Sequence, residues 1–434
     1  MLEIINALLL KNRTIVSSEY EQCLSLLAEE IPMIIHKYGS GEEYGTWVIP
    51  PLWDVRKAYL SDGNKIIASY DDHPLFLAPY SCSFTGWVSR NELLKHVRSR
   101  PEVPDAFSYE YRLAYDFQKC LKDWIITLPH ALVQQLDIPR YFVDIQVETA
   151  PGHMLVGEST IQGQHDYTIA FLTHLCHTGQ ANDGLAGVAV GVEVMKRIRK
   201  EYSRCKYNYQ LLIMPETIGS SVYLATHESR IELYLGSIFI EMPGIHSPLR
   251  LGHTRLGDGY LDRILREVMI NRGVEFTEST FTEHWGNDEL VFDSPGVGIP
   301  GAAIERYPFQ WYHTSRDNSE VTNEDSMEEI VEILLDTVRL IESDFIPCSR
   351  QRVPVYLTKY NLYADWENQR AGYDLNTAII NLFWSGASVF DISKKLEAPY
   401  EQVRQYVMQF AEHNLVEARP LSPQYFRRNR DGFG

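Results

Sequence analysis

The residue types able to do chemistry gather in five short stretches. These are His174-Leu-Cys-His-Thr-Gly-Gln-Ala-Asn-Asp-Gly-Leu-Ala-Gly187, Pro215-Glu-Thr-Ile-Gly-Ser220, Glu241-Met-Pro-Gly244, Trp285-Gly-Asn-Asp-Glu289 and Trp311-Tyr-His-Thr-Ser-Arg-Asp-Asn318. Each of the first three follows directly on an apolar run of strand length. In an open α/β sheet, ligands collect just beyond the carboxyl ends of the strands, so these stretches would converge on one edge. Imidazole together with carboxylate is the donor set that holds zinc in hydrolytic sites. Zinc there acidifies water and polarises a carbonyl, while a nearby carboxylate takes the proton.

The elements that must carry these stretches can be read from the pattern around them. Runs at 167–173, 209–214 and 235–240 read as buried strands, and helices are expected at 185–200, 220–227, 261–271 and 324–342. That alternation predicts a sheet with helices on both faces. Upstream, apolar residues at helical spacing over 20–37 read as one helix interrupted at Pro32. Residues 47–108 turn rich in aromatics, Pro and short β-prone runs, including one at 75–78, around a hairpin turn at Ser61-Asp-Gly-Asn64. A helix over 109–128 and strands near 142–147 and 153–157 follow. Three short helix patterns at 375–384, 389–396 and 400–413, then Leu415-Val-Glu417, lay out a winged helix-turn-helix. The expected organisation is an α/β domain from 1–46 and 109–350, an inserted β-rich module at 47–108 and a winged-helix domain at 355–434.

The order His, Asp, Glu, Glu, His at successive strand ends resembles the zinc aminopeptidase superfamily, the co-catalytic-zinc exopeptidase clan. Within it the chain is similar to bacterial aminopeptidase-like proteins with a small inserted β-domain and a C-terminal winged helix. The residues that carry the resemblance are Cys176-His-Thr178, Ala181-Asn-Asp-Gly-Leu-Ala-Gly187, Pro215-Glu-Thr-Ile-Gly-Ser220 and Tyr312-His-Thr-Ser-Arg-Asp-Asn318. The resemblance implies a zinc-exopeptidase-like mixed sheet holding one or two zinc ions. It makes His177 and His313 end ligands, Asp183 the shared carboxylate, Glu216 the general base and Glu241 the remaining acidic ligand, with Asp288 and Glu289 behind it. His174 is the alternative to His177. Asp317 would orient His313 through its free ring nitrogen or cap Asn318-Ser-Glu320. The chain departs from the clan's pattern at Thr217, where a second glutamate is usual, at Thr178 in place of Pro, and at Gly184 in place of Asn.

Composition narrows the class. With 40 Lys plus Arg against 58 Asp plus Glu, the formal charge of −18 opposes phosphate backbones and anionic lipid. The helix at 400–413 offers only Arg404 between Glu401 and Glu412, so nucleic acid is disfavoured as a partner despite Arg419, Arg427, Arg428 and Arg430 in the tail. Packing of this unit on the main domain, or on a second copy in a homo-oligomer, is expected instead. The six cysteines form no Cys-x-x-Cys pair, and no apolar stretch reaches membrane length. The expected protein is therefore cytoplasmic. A nucleophilic role for Cys176 lacks a separate His-Asp relay. The function expected from the whole is zinc-dependent cleavage of an amide bond in a small peptide or amino-acid conjugate. The alternatives are an amidase or deacylase acting on a sugar-type conjugate, and a non-catalytic hydrolase fold used for binding.

Overall fold

The computed structural model describes residues 1–428 except Phe117 and Trp285. Trp285, which opens the fourth polar stretch, and Arg430 of the basic tail therefore lie outside the described residues. The main sheet has eight strands: β1 Ile34–Gly39, β2 His153–Ile161, β3 Thr168–His174, β4 Asn208–Met214, β5 Tyr234–Glu241, β6 Leu249–Gly252, β7 Phe276–Ser279 and β8 Gly301–Arg306. Their order is β1-β2-β4-β3-β5-β8-β6-β7. The central four, β4, β3, β5 and β8, are parallel. On one side β2 runs antiparallel to β4, and on the other β6 runs antiparallel to β8. Register sets His174 opposite Met214 and Leu172 opposite Phe239, so the ends of β3, β4 and β5 finish at one height.

Alternation along the central strands divides the core. Ile169, Phe171, Leu211, Ile213, Ile238 and Ile240 face one apolar layer, which the helices Gly187–Glu201, Tyr260–Asn271 and Glu324–Ser343 cover. Ala170, Leu172, Leu212, Met214 and Phe239 face the other, shared with a second sheet that contributes Leu60, Val143 and Ile145. Both faces of β3 are buried along its whole length, as its unbroken apolar run requires. Helix, parallel strand and helix thus recur as the sequence pattern indicates.

The second sheet is antiparallel, in the order Ile66–Ser69, Leu52–Ser61, Arg140–Ala150, Phe84–Ser89. Its hairpin turn forms as expected: the Asp62 carboxylate accepts from the Asn64 and Lys65 amides, and Gly63 takes φ +97°. One of its two inner strands, Arg140–Ala150, lies beyond the 47–108 span, so the sheet closes only with residues from outside that module.

Three elements differ from the sequence reading. The helix expected over 20–37 spans Ser18–Glu30, begun by Ser17 accepting from the Tyr20 amide; after Pro32 the chain pairs instead with β2. The expected helix over 109–128 shrinks to Arg112–Tyr115. Leu121 sits at φ +58°, and Ile126–Thr127 pairs with Val97–Arg98, so tertiary pairing overrides helical periodicity. The run at 75–78 opens as a 3₁₀ turn over Pro74–Phe76, set by the His73 ring accepting from the Leu75 amide.

At the C-terminus, helices Arg370–Asn381, Val389–Lys395 and Tyr400–Glu412 precede a strand, Val416–Arg419, that pairs antiparallel with Ile346–Ser349. Val403, Tyr406, Val407 and Phe410 are buried in a small core of their own rather than exposed for docking. Contact with the main domain is made by Phe390, Leu421, Tyr425 and Phe426, which join its apolar core. Arg263 pairs with Asp391 at 2.9 Å across that boundary. No helix of the described residues is long and apolar enough to cross a membrane.

Candidate metal centre

Three of the candidate donors, His174, His177 and Asp183, are placed by the end of β3 and the loop from it to the helix Gly187–Glu201. His174 is the last residue of β3, and the chain then turns through Gly179 at φ +70° and Gly184 at φ +106°. A Cβ at Gly184 would stand 2.8 Å from the His174 carbonyl oxygen and 3.1 Å from its ring. Glycine is needed there for both conformation and space. Arg13, fully buried, threads this loop: its guanidinium donates to the carbonyls of Leu175 (2.9 Å), Gln180 (3.0 Å) and His177, and its amide donates to the Thr178 hydroxyl. Asp317 accepts from the amides of Asn182 (2.7 Å) and Asp183 (3.0 Å). The Asn182 side chain in turn accepts from the Gly244 amide, tying the loop after β3 to the loop after β5.

Asp183 lies at the centre of the resulting cluster. One oxygen is 3.5 Å from His174 Nε2 and the other 3.0 Å from His313 Nε2. His174 Nε2 is also 3.0 Å from the Glu241 carboxylate, and its Nδ1 lies 2.9 Å from Nδ1 of His177. His177 Nε2 is 3.5 Å from Glu216. Two groups of donors compact enough to close on one ion therefore share Asp183: His174, Asp183, Glu241 and His177, Asp183, His313. A further group, His174, Cys176, His177 and Glu216, adds the Cys176 thiol, which accepts from the Glu216 amide.

Burial sets the electrostatics. It pushes the Glu241 carboxyl up to about 8, against the pull of His174. Glu216 likewise rises to about 8 through burial, the pull of His174 being offset by Asp288, Asp183 and Glu241, while its side chain keeps 23% of its surface open to the cavity. Burial drives His177 well below the ordinary histidine value. For His174 burial works against the charged form, yet Glu241, Cys176 and Glu216 together outweigh it and raise the ring's proton affinity. Burial also works against ionised Asp183, but His177, His313 and His174 together hold it well below the usual carboxylate range. Asp183 Oδ2 and His313 Nε2 face each other without a satisfied hydrogen bond. Buried, mutually facing acceptors of this kind fit a divalent cation.

All six residues read as ligands, alternative ligand or base, namely His174, His177, Asp183, Glu216, Glu241 and His313, thus lie together. Asp288 and Asp317 serve the backbone. Asp288 accepts from the Ser220 hydroxyl at 2.6 Å and the Thr217 amide at 2.9 Å, fixing a turn in which Thr217 takes φ +63° and ψ −55°, a costly conformation for a β-branched residue. Asp317 holds the Asp183 loop rather than the His313 ring, and Asn318 itself accepts from Glu320. Glu289 is buried apart from the cluster, 3.5 Å from His284. Another compact group joins His36 on β1, Glu158 on β2 and His227 just after the helix Ile218–Thr226. There Tyr223 and Arg230 already occupy the carboxylate.

Above the donors opens a cavity of about 300 Å³, walled by Tyr109, Tyr111, Tyr115 and Tyr312. Tyr312 stands in a stretch the sequence already singles out, whereas Tyr109, Tyr111 and Tyr115 fall where the sequence predicts the start of a helix. Tyr111 and Tyr115 are spaced as on one helix face, and Tyr109 falls off it.

The fold is similar to those of zinc aminopeptidases. A zinc aminopeptidase from Bacillus subtilis superposes with a TM-score of 0.58 at 12% identity, over 78% of this chain and 93% of that one. A crystal structure from Clostridium acetobutylicum, provisionally described as a peptidase, gives a TM-score of 0.83 at 24% identity over 96% and 95%. A protein of that organism, provisionally described as a polysaccharide biosynthesis protein with an aminopeptidase-like domain, is 28% identical over 76% of this chain and 75% of its own length. The sheet order, the donor-bearing strand ends and these likenesses fit the zinc exopeptidase superfamily. The sequence profile of one family matches residues 2–344, and the chain belongs to that family, described as Domain of unknown function (DUF4910).

Proposed function

We propose that the protein is a zinc-dependent hydrolase that cleaves an amide bond of a small peptide or amino-acid conjugate. The observation that carries this reading is Asp183, shared between His174 with Glu241 and His177 with His313, buried behind a cavity that His177, Glu216 and His313 line. In the proposal both histidines at the end of β3 are ligands, and His177 supplies the donor that Thr217 cannot. When bound, zinc supplies acidity to water and polarisation to a carbonyl. The contact between the two Nδ1 atoms fixes the His174 ring, as a ligating imidazole requires. Glu216 opens on the same cavity with its proton affinity raised, which suits a base that takes a proton from the attacking water and returns it to the leaving nitrogen. The tyrosine walls exclude water and orient the substrate.

Glu216→Gln tests the assignment. The variant should keep zinc and fold but lose turnover of aminoacyl anilides by about 10²-fold or more. Turnover near that of the parent would remove Glu216 from the mechanism.

A second reading, an amidase or deacylase acting on a sugar-type conjugate, is favoured by the four tyrosines around the cavity, whose rings suit the apolar face of a sugar. The relative described in terms of polysaccharide biosynthesis agrees with it. The same proposal assigns the β-rich module to substrate selection. It assigns the C-terminal unit, a winged helix-turn-helix by its order of helices and strand, to support of the main domain rather than to nucleic acid. Its place of action is proposed as the cytoplasm.

A further inference from the structure

A second cavity adjoins the first. It encloses about 780 Å³, more than twice the space above the donors, and shares Ile15, Ala114 and Tyr115 with it. Its other walls are largely apolar, chiefly Trp47, Val48, Ile49, Leu121, Pro151 and Ile218. Among the described residues no carboxylate lines it, and Lys122, an exposed residue, is the one permanently charged side chain there. Trp47–Val48 belongs to a two-stranded hairpin with Glu43–Tyr44, outside the main sheet. A space of this size suits a drug-sized ligand and exceeds what one amino-acid side chain fills. A small polar metabolite would leave most of it wetted at apolar walls.

We propose that the substrate carries a long apolar chain beside its scissile amide, and that this chain lies in the second cavity while the amide reaches the donors past the shared walls Ile15, Ala114 and Tyr115. This inference rests on the hydrolase reading above and narrows it to lipophilic amides. The chain can stand on the acyl side or the amine side of the bond; the chemistry recognised is the same.

The test separates the two readings by measuring binding and turnover independently. Binding of N-acetyl-, N-hexanoyl- and N-decanoylglycine to the full-length protein, without added metal, should tighten by roughly fourfold per methylene until the cavity is filled. Val48→Trp, which takes up part of the cavity away from the donors, should weaken binding of the decanoyl compound more than that of the acetyl compound. Affinities independent of chain length, or a Val48→Trp variant that weakens all three compounds equally or none of them, would overturn the inference. Cleavage of N-decanoyl-leucine and of leucine decylamide by the zinc-loaded protein then shows which side bears the chain. Chain-dependent binding without cleavage of either would leave the cavity assignment standing and sink the hydrolase reading. Cleavage of short amides with binding indifferent to chain length would do the reverse.

Discussion

Arg13→Lys should be among the most damaging conservative changes in the chain, although Arg13 touches no donor. Its planar fork reaches three carbonyls of one loop, those of Leu175, His177 and Gln180, and the side chain is fully buried. Among the described residues no carboxylate pairs with it. Lysine keeps the charge but presents a single ammonium on a flexible stem, so at least two of these carbonyls lose their partner. An unsatisfied buried acceptor costs about 1–3 kcal/mol, which sums to roughly 2–6 kcal/mol of stability. The loop also carries His177 and Asp183, so zinc affinity should fall by about 10–100-fold, as when a partner behind a ligand is lost. Urea denaturation gives the first number from the midpoint at constant m, and competition with a chromophoric chelator gives the second. Parental values in both assays would refute the view that Arg13 positions the loop. A stability loss with unchanged zinc affinity would confine its role to folding.

Three other outcomes follow from the same structure. In the metal-free protein Glu216 and Glu241 hold protons up to about pH 8, whereas in the unfolded chain they release them near the ordinary carboxylate value of 4.5. The folded form is favoured by proton binding, so metal-free stability should decline as pH rises from about 4.5 to 8, and zinc should flatten that decline. A pH dependence across this window that is the same in Glu216→Gln as in the parent contradicts the burial argument. Gly184→Ala, forced against the His174 carbonyl at φ +106°, should lose both stability and zinc, measured by the same two assays; retention of both would show that the loop relaxes freely. Phe426→Ala should cost about 3–5 kcal/mol, because its fully buried ring packs 4.7 Å from that of Tyr260 and anchors the C-terminal unit to the main domain. An unchanged denaturation midpoint would mean that the unit is held chiefly by Arg263 and Asp391.

The strands and helices that carry the donors were legible because burial on both faces writes an unbroken apolar run, as in 168–174, and covering helices write a stripe of period 3.6, as in 324–343. The choice between His174 and His177 was not legible. Spacing suggests one ligand per strand end, whereas the turns at Gly179 and Gly184 fold the loop back until the two rings are 4.5 Å apart. Asp317 was misread for a related reason: its partners, the amides of Asn182 and Asp183, lie more than a hundred residues away in sequence. The stretch 109–128 has the composition of a helix, and only pairing with Val97–Arg98 shows why it ends after one turn. The strand 140–150 was visible as a strand, but its membership of the second sheet depends on contacts with 52–61 and 84–89 that no local pattern encodes.

The account stands or falls on Asp183 as a carboxylate shared by two donor sets. Anomalous diffraction from crystals of the zinc-loaded protein, recorded on both sides of the zinc absorption edge, tests this most directly. The expected map has two peaks flanking Asp183, one contacting His174 and Glu241 and the other His177 and His313. No peak at Asp183, or a peak held by one donor set alone, would contradict it.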